Sequence, residues 1–247
     1  MKSFFMSIGC DTVCLKADFL TIFCVQNAYD SNITRERLGL TMNAMQHARI
    51  SAKRWGGEPE DYYELHAFID STKSLCSDAR HRILHTLWGI NSVVVPIFGH
   101  SLQNSAGKLI DIKDLCERDH LLVDYQQRFI PTLSDFVQAV DTSRLPQNLE
   151  RHLEQLHQVY AQDPIASQLM LSPLAQTGKL HSLLFTHNSW FIYAILPQIG
   201  VLPNLQNIVY SPDDIFHAMR FELWMDNGMA IPQSAQALHQ RKQQSAV

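Results

Sequence analysis

Leu38, Met42, Met45 and Arg49 fall at helical spacing, so the pattern predicts a helix over 33–55, stopped by Gly56 and Gly57. Pro59, Glu60 and Asp61 open a second helix, because proline is tolerated in a first turn and acids favour the positive end of the dipole. Its inward stripe is Tyr62, Leu65, His66, Ile69 and Asp70, and it is expected to end near Cys76. Ser77 reads as an N-cap with Asp78 behind it, and a third helix is predicted from Ala79 to Val95, ended by Pro96 and Gly99. Asn104-Ser105-Ala106-Gly107 has the composition of a turn, and Ile110 and Ile112 alternating with aspartate fit a short strand. Helical spacing returns from Asp111 to Tyr125. Pro131 then leads into Thr132-Leu133-Ser134-Asp135, a cap for a helix to Val140.

Asp141 to Pro146 reads as a connector. Beyond it, helices are expected at 147–161, 164–171, 178–195 and 212–226. The last has the fullest signals: Ser211 as N-cap, Pro212 in the first turn, and Asn227-Gly228 as the stop. The fold class is therefore all-α, a helical bundle core with a second helical region at the C-terminus. Its expected parts are a poorly structured extension over 1–33, a His/Asp-rich domain over 34–141, a C-terminal helical region over 146–232 and a polar tail over 233–247. Residues 1–33 have little periodicity, and Met42 is a candidate start.

Composition narrows the classes. With 46% hydrophobic residues the chain can bury an ordinary core, and a net charge of -4 with 18% charged residues gives no general attraction to nucleic acid or to an anionic membrane. No apolar run reaches the 18 residues that a transmembrane helix needs, because Pro197 stops the longest one, Trp190 to Leu196. The five cysteines, Cys10, Cys14, Cys24, Cys76 and Cys116, are odd in number and lack C-x-x-C pairs, which argues against a disulfide framework and for a cytoplasmic setting.

The candidate chemistry lies between residues 47 and 124. Six of the twelve histidines lie there, and four of them fall into three pairs at i,i+4 spacing: His66/Asp70, His81/His85 and His120/Asp124. Residues four apart share a helix face, so each pair can aim two ligands at one point. A short turn between the second and third helices predicts antiparallel neighbours, with His66/Asp70 facing His81/His85 and with His120/Asp124 and His47 closing the site. Imidazole and carboxylate donors without paired thiolates suit a divalent Zn, Mn, Fe or Ni ion. On the catalytic side, Lys73, Arg80 and Arg82 are candidates to hold a phosphate, and Asp78 is a candidate to orient a histidine.

The stretch His47-Ala48-x-x-Ser51-Ala52-x-x-Trp55-Gly56-Gly57, then Tyr62-x-x-x-His66-x-x-x-Asp70-Ser71-x-Lys73, then Asp78-x-Arg80-His81-Arg82-x-x-His85 resembles an uncharacterised family of small, histidine-rich bacterial and phage-borne proteins. The likeness continues through Phe98-Gly99, Asn104-Ser105-x-Gly107, His120-x-x-x-Asp124 and Ile130-Pro131-Thr132, and covers about residues 43–140. That family has no established activity, so the resemblance implies a domain and not a mechanism.

Two function classes fit these residues. The first is a metal-binding helical protein, with a finer reading as a metal-dependent hydrolase of a phosphorylated small molecule, a phosphate ester or nucleotide. A loose analogy to metal-dependent phosphohydrolases of the HD type lacks their His-Asp dipeptide, since Asp119-His120 has the reverse order. The alternative is a non-enzymatic interaction protein, of the kind carried by phages or mobile elements. There the histidines would form a structural polar core or hold a structural metal.

Overall fold

The computed structural model describes residues 42–74, 82–141, 143, 147–203, 220–221, 231–232 and 234–236, all within one compact unit, Met42–Val247. Among the described residues helices dominate, as the all-α reading expects. The first helix, α1 (Ala44–Trp55), begins where Asn43 accepts a hydrogen bond from the Gln46 main-chain N–H while the Gln46 side chain returns to Asn43 N, a reciprocal cap. It stops at Gly56, whose φ of +86° suits glycine. Residues 33–41 of the expected helix lie outside the described residues.

Helix α2 (Glu60–Ile69) carries the expected inward stripe: Tyr62, Leu65, His66 and Ile69 are buried, and Asp70 follows at its C-cap. It ends short of Cys76 because a 3-10 turn, Ser71–Ser74, takes over. The α1–α2 turn is locked to a later hairpin, β1 (Ser101–Gln103) and β2 (Leu109–Asp111), which pairs Leu102 with Ile110. Asp61 accepts from the main-chain N–H groups of Glu58 and Ser105 and from the Ser105 hydroxyl. Tyr62 donates to Gly56 O, and Asn104 donates to the Tyr62 hydroxyl. Gly57 sits in the crease, where a Cβ would come within 2.3 Å of Asp61.

The predicted third helix is corrected. Arg82 to Thr86 form a turn, and the helix begins at Leu87, because the Thr86 hydroxyl accepts from Gly89 N and so caps it. This helix runs through a π-helical segment, Gly89–Val94, into α3 (Val95–Phe98), past Pro96, and ends at Gly99. Gly89 is packed on the preceding turn so closely that a Cβ would lie 2.3 Å from Leu84 O.

After β2, Asp111 caps α4 (Ile112–Cys116), which passes through a second π-helical segment, Glu117–Leu121, into α5 (Leu122–Asp124). Thr132 and Asp135 form the expected reciprocal cap of α6 (Leu133–Gln138). Val140 and Asp141 leave the helix as strand β3, paired antiparallel with β4, Arg220–Phe221. The helix expected over 212–226 is therefore corrected at residues 220 and 221, and the rest of it lies outside the described residues.

Helices α7 (Leu149–Tyr160) and α8 (Pro164–Thr177) match two of the expected C-terminal helices, α8 running longer. Pro173 inside α8 has no N–H for the Leu169 carbonyl, and the Ser172 hydroxyl supplies the bond instead. Ser172 in turn accepts from Trp88 Nε1 at 2.8 Å. The single helix expected over 178–195 is broken: Leu180–Phe185 is a 3-10 helix, and Asn188 caps a new helix by accepting from Phe191 N. One core spans both halves of the described chain, with Trp88, Tyr62, Phe136, Phe185 and Phe191 fully buried. Among the described residues no helix is long and apolar enough to cross a membrane.

Candidate metal centre

Four segments converge on a polar pocket inside this apolar core. Helix α1 supplies His47, the end of α2 supplies His66 and Asp70, the turn before Leu87 supplies His85, and the segment 119–124 supplies Asp119, His120 and Asp124. At the end of the π-helical turn, Asp119, His120 and Leu121 are all buried in succession. His47, His66, His85 and His120 have no exposed surface.

The His85 Nε2 atom lies 3.2 Å from Asp70 Oδ1 and 3.1 Å from Asp124 Oδ2. His120 Nε2 is 3.1 Å from His85 Nε2, 3.4 Å from Asp70 Oδ1 and 4.0 Å from Asp124 Oδ2. His47 Nε2 is 3.1 Å from Asp124 Oδ1, while its Nδ1 donates to the main-chain oxygen of Asp119 at 2.7 Å. Two groups can hold a metal ion, their ligand atoms within 4.8 Å of one another: Asp70, His85, His120 and Asp124, and His47, His66 and His120.

Electrostatics keeps these groups in their ligand forms. Burial drives His120 down to about 4 against the pull of Asp70, and the neighbouring His47 and His85 push the same way. Burial, then His120 and His47, also hold His66 well below the usual histidine range. Burial opposes ionisation of Asp70 and Asp124, yet the flanking histidines, with Lys73 for Asp70, hold both well below the ordinary carboxylate range. At neutral pH the pocket thus presents neutral His66 and His120 and two carboxylates, the protonation state that metal binding requires.

The donor set fits a divalent cation. Nδ1 of His47 donates to Asp119 O, which orients the ring and turns Nε2 toward the Asp124 carboxylate, as an outer hydrogen bond orients a ligating histidine. Among the described residues, neither oxygen of Asp70 receives a hydrogen bond of ordinary geometry, although Lys73 Nζ lies 2.6 Å from Oδ1. Two carboxylates balance the charge of one such ion, and nitrogen and oxygen donors suit Zn, Mn, Fe or Ni. The free thiol of Cys116 is buried and belongs to neither group.

The pocket brings together six residues expected from the sequence: His47, His66, Asp70, His85, His120 and Asp124. The expected facing of two helices is corrected, since His85 stands on a turn. His81, Asp78 and Arg80 lie outside the described residues. Lys73 reaches the pocket edge through Asp70 and donates to Met42 O. Arg82 is buried with its guanidinium 5.3 Å from the Tyr125 ring centre, and the Tyr125 hydroxyl donates to His85 O.

Asp119 was not among the expected site residues. It accepts from Arg54 Nε at 2.6 Å, Trp55 Nε1 at 2.7 Å and Ser51 Oγ at 3.0 Å. The available signal was the spacing of His47, Ser51 and Trp55, which places all three on one face of α1.

Fold and site together define a helical domain built around a buried cluster of histidines and aspartates. Residues 42–145 match the family described as "Domain of unknown function (DUF6915)", in agreement with the resemblance seen over about residues 43–140. No curated protein and no solved structure matches the chain.

Proposed function

We propose that the protein binds one divalent transition-metal ion through Asp70, His85, His120 and Asp124, with His47 at the edge of the same site. The observation that carries this reading is the convergence of two carboxylates and two imidazoles, their ligand atoms all within 4.8 Å of one another, inside the core. Metal analysis of the purified protein, followed by titration with Zn2+, Mn2+, Co2+ and Ni2+, tests it. Tight uptake of about one ion per chain is expected, with loss of at least tenfold in affinity in Asp70→Asn and His85→Ala. Unchanged metal content in both variants at intact fold sinks the reading.

The finer reading is hydrolysis of a phosphorylated small molecule. Such an ion would act as a Lewis acid toward a phosphoryl oxygen and would activate water. Lys73, 29% exposed beside Asp70, would receive the phosphate, while Arg82 is buried against Tyr125 and would lend only its charge. A specific observation favours the alternative, a non-enzymatic interaction protein with a structural metal: the four histidines are fully enclosed, as ligands of closed structural sites are. A phosphodiesterase and phosphatase assay with Mn2+ or Zn2+ separates the two, since only an enzyme loses turnover in Asp70→Asn. Equal background in both proteins selects the structural metal.

A further inference from the structure

We propose that Asp119 is the anchor of a hydrogen-bond relay, Asp119–Ser51–His66–His120, that fixes the proton of His120 on Nδ1 and so presents His120 Nε2 to the metal. Three residues act here by positioning, not by ligation: Asp119, Ser51 and His66. The inference rests on the metal reading for its consequence, but the relay itself is a statement about protons in the metal-free protein.

The proton count runs in one direction. An ionised carboxylate only accepts, so the Ser51 hydroxyl, 3.0 Å from Asp119 Oδ2, spends its one proton there. Ser51 Oγ can then only accept from His66 Nε2, 2.9 Å away. A neutral imidazole carries one proton, so His66 Nδ1 is left with a lone pair. That lone pair lies 3.0 Å from His120 Nδ1, which must therefore be the donor. His120 Nε2 is left unprotonated, facing Asp70 and His85. Both nitrogens of His66 are then engaged, which removes it from the ligand set.

Asp119 reaches a second ligand by another route. Its main-chain oxygen takes the Nδ1 proton of His47 at 2.7 Å and leaves His47 Nε2 toward Asp124. One residue thus sets the tautomer of two candidate ligands, through its side chain for His120 and its backbone for His47. Arg54 and Trp55 hold its carboxylate in place. An outer carboxylate that orients a ligating histidine through its second nitrogen is a general device of metal sites, here extended by a hydroxyl and one more imidazole.

The test uses 15N-labelled histidine in the full-length, metal-free protein, read by long-range proton–nitrogen NMR, together with Zn2+ affinity by chelator competition. His120 is expected as the Nδ1–H tautomer in the wild type, and Ser51→Ala is expected to disturb that tautomer and weaken Zn2+ by about 10–100-fold. His66→Gln keeps a donor toward Ser51 and an acceptor toward His120, so it is expected to stay within about fivefold of wild type, whereas His66→Ala falls with Ser51→Ala. A folded wild type with His120 protonated on Nε2 overturns the relay whatever it binds. Equal losses in His66→Gln and His66→Ala make His66 a ligand and overturn it as well. A wild type with the expected tautomer that takes up no metal supports the relay and overturns the metal reading.

Discussion

Lys73 would compete with a cation bound at the proposed site for the same oxygen. Its ammonium lies 2.6 Å from Asp70 Oδ1 and stays partly exposed, so the charge opposes a metal ion without being buried against it. Removing it in Lys73→Met is expected to tighten Zn2+ binding by about 3–10-fold at low ionic strength, an effect that fades in high salt. Weaker binding in that variant, measured by the same competition, would show that Lys73 chiefly holds Asp70 in place. If the site hydrolyses a phosphate ester, the variant loses turnover while its metal affinity rises. Spacing alone brought His66, Asp70, His120 and Asp124 into view, since residues four apart share a helix face. Asp119 escaped because a regular helix turns residue 119 about 100° away from residue 120, and nothing in the sequence announces a wider turn.

At the scale of elements, the pocket depends on two places where regular helix gives way. One is the π-helical turn Glu117–Leu121, and the other is the Thr86 cap that keeps His85 on a turn. Both are choices between near-equal local structures made by tertiary contacts, which is why periodicity carried the predicted third helix straight through residues 82–86. The Thr86 hydroxyl and the Leu87 N–H, bound to Pro131 O, decide against that helix. Gly89 makes the tight approach to Leu84 feasible. Gly89→Ala is expected to destabilise the protein by about 1–3 kcal/mol through overpacking, read as a lower urea midpoint. It is also expected to weaken Zn2+ binding by shifting His85. A variant of unchanged stability and affinity would mean that the turn gives way at no cost and does not place His85.

Among the described residues, buried histidines make the fold sensitive to acid above the carboxylate range, including one remote in sequence from the candidate metal centre. His187, in the C-terminal half, is enclosed and donates through Nδ1 toward Leu183 O, and burial, then His157, drives its pKa down to about 3. The unfolded chain takes up this proton near pH 6.5, and the folded chain does so only near 3, so stability falls as pH drops through that interval. A single such group contributes about 1.4 kcal/mol per pH unit there. His66 and His120 act in the same direction in metal-free protein. His187→Gln is expected to reduce the slope of unfolding free energy between pH 6 and pH 4.5 by about one proton, measured by urea titration with chelator present. Parallel slopes for the two proteins would place the sensitivity elsewhere. The all-α class was legible in the sequence because long periodic segments decide it. The β3–β4 pairing was hidden, because Arg220 and Phe221 sit inside a stretch with full helix start and stop signals.

Trp55 gives the molecule an optical handle on its own interior. Its indole N–H rests on the Asp119 carboxylate, whose other contacts lead through Ser51 to the imidazoles. A negative charge at the pyrrole end of an indole shifts its fluorescence, so the emission of Trp55 reports the charge and position of Asp119. The chain has only four tryptophans, and of the two other described ones Trp88 is tied to Ser172 and Trp190 is buried in the C-terminal half. In a variant that keeps Trp55 as its one tryptophan, light emission from α1 is expected to follow events at the histidines in dilute solution, with no label and no catalytic readout.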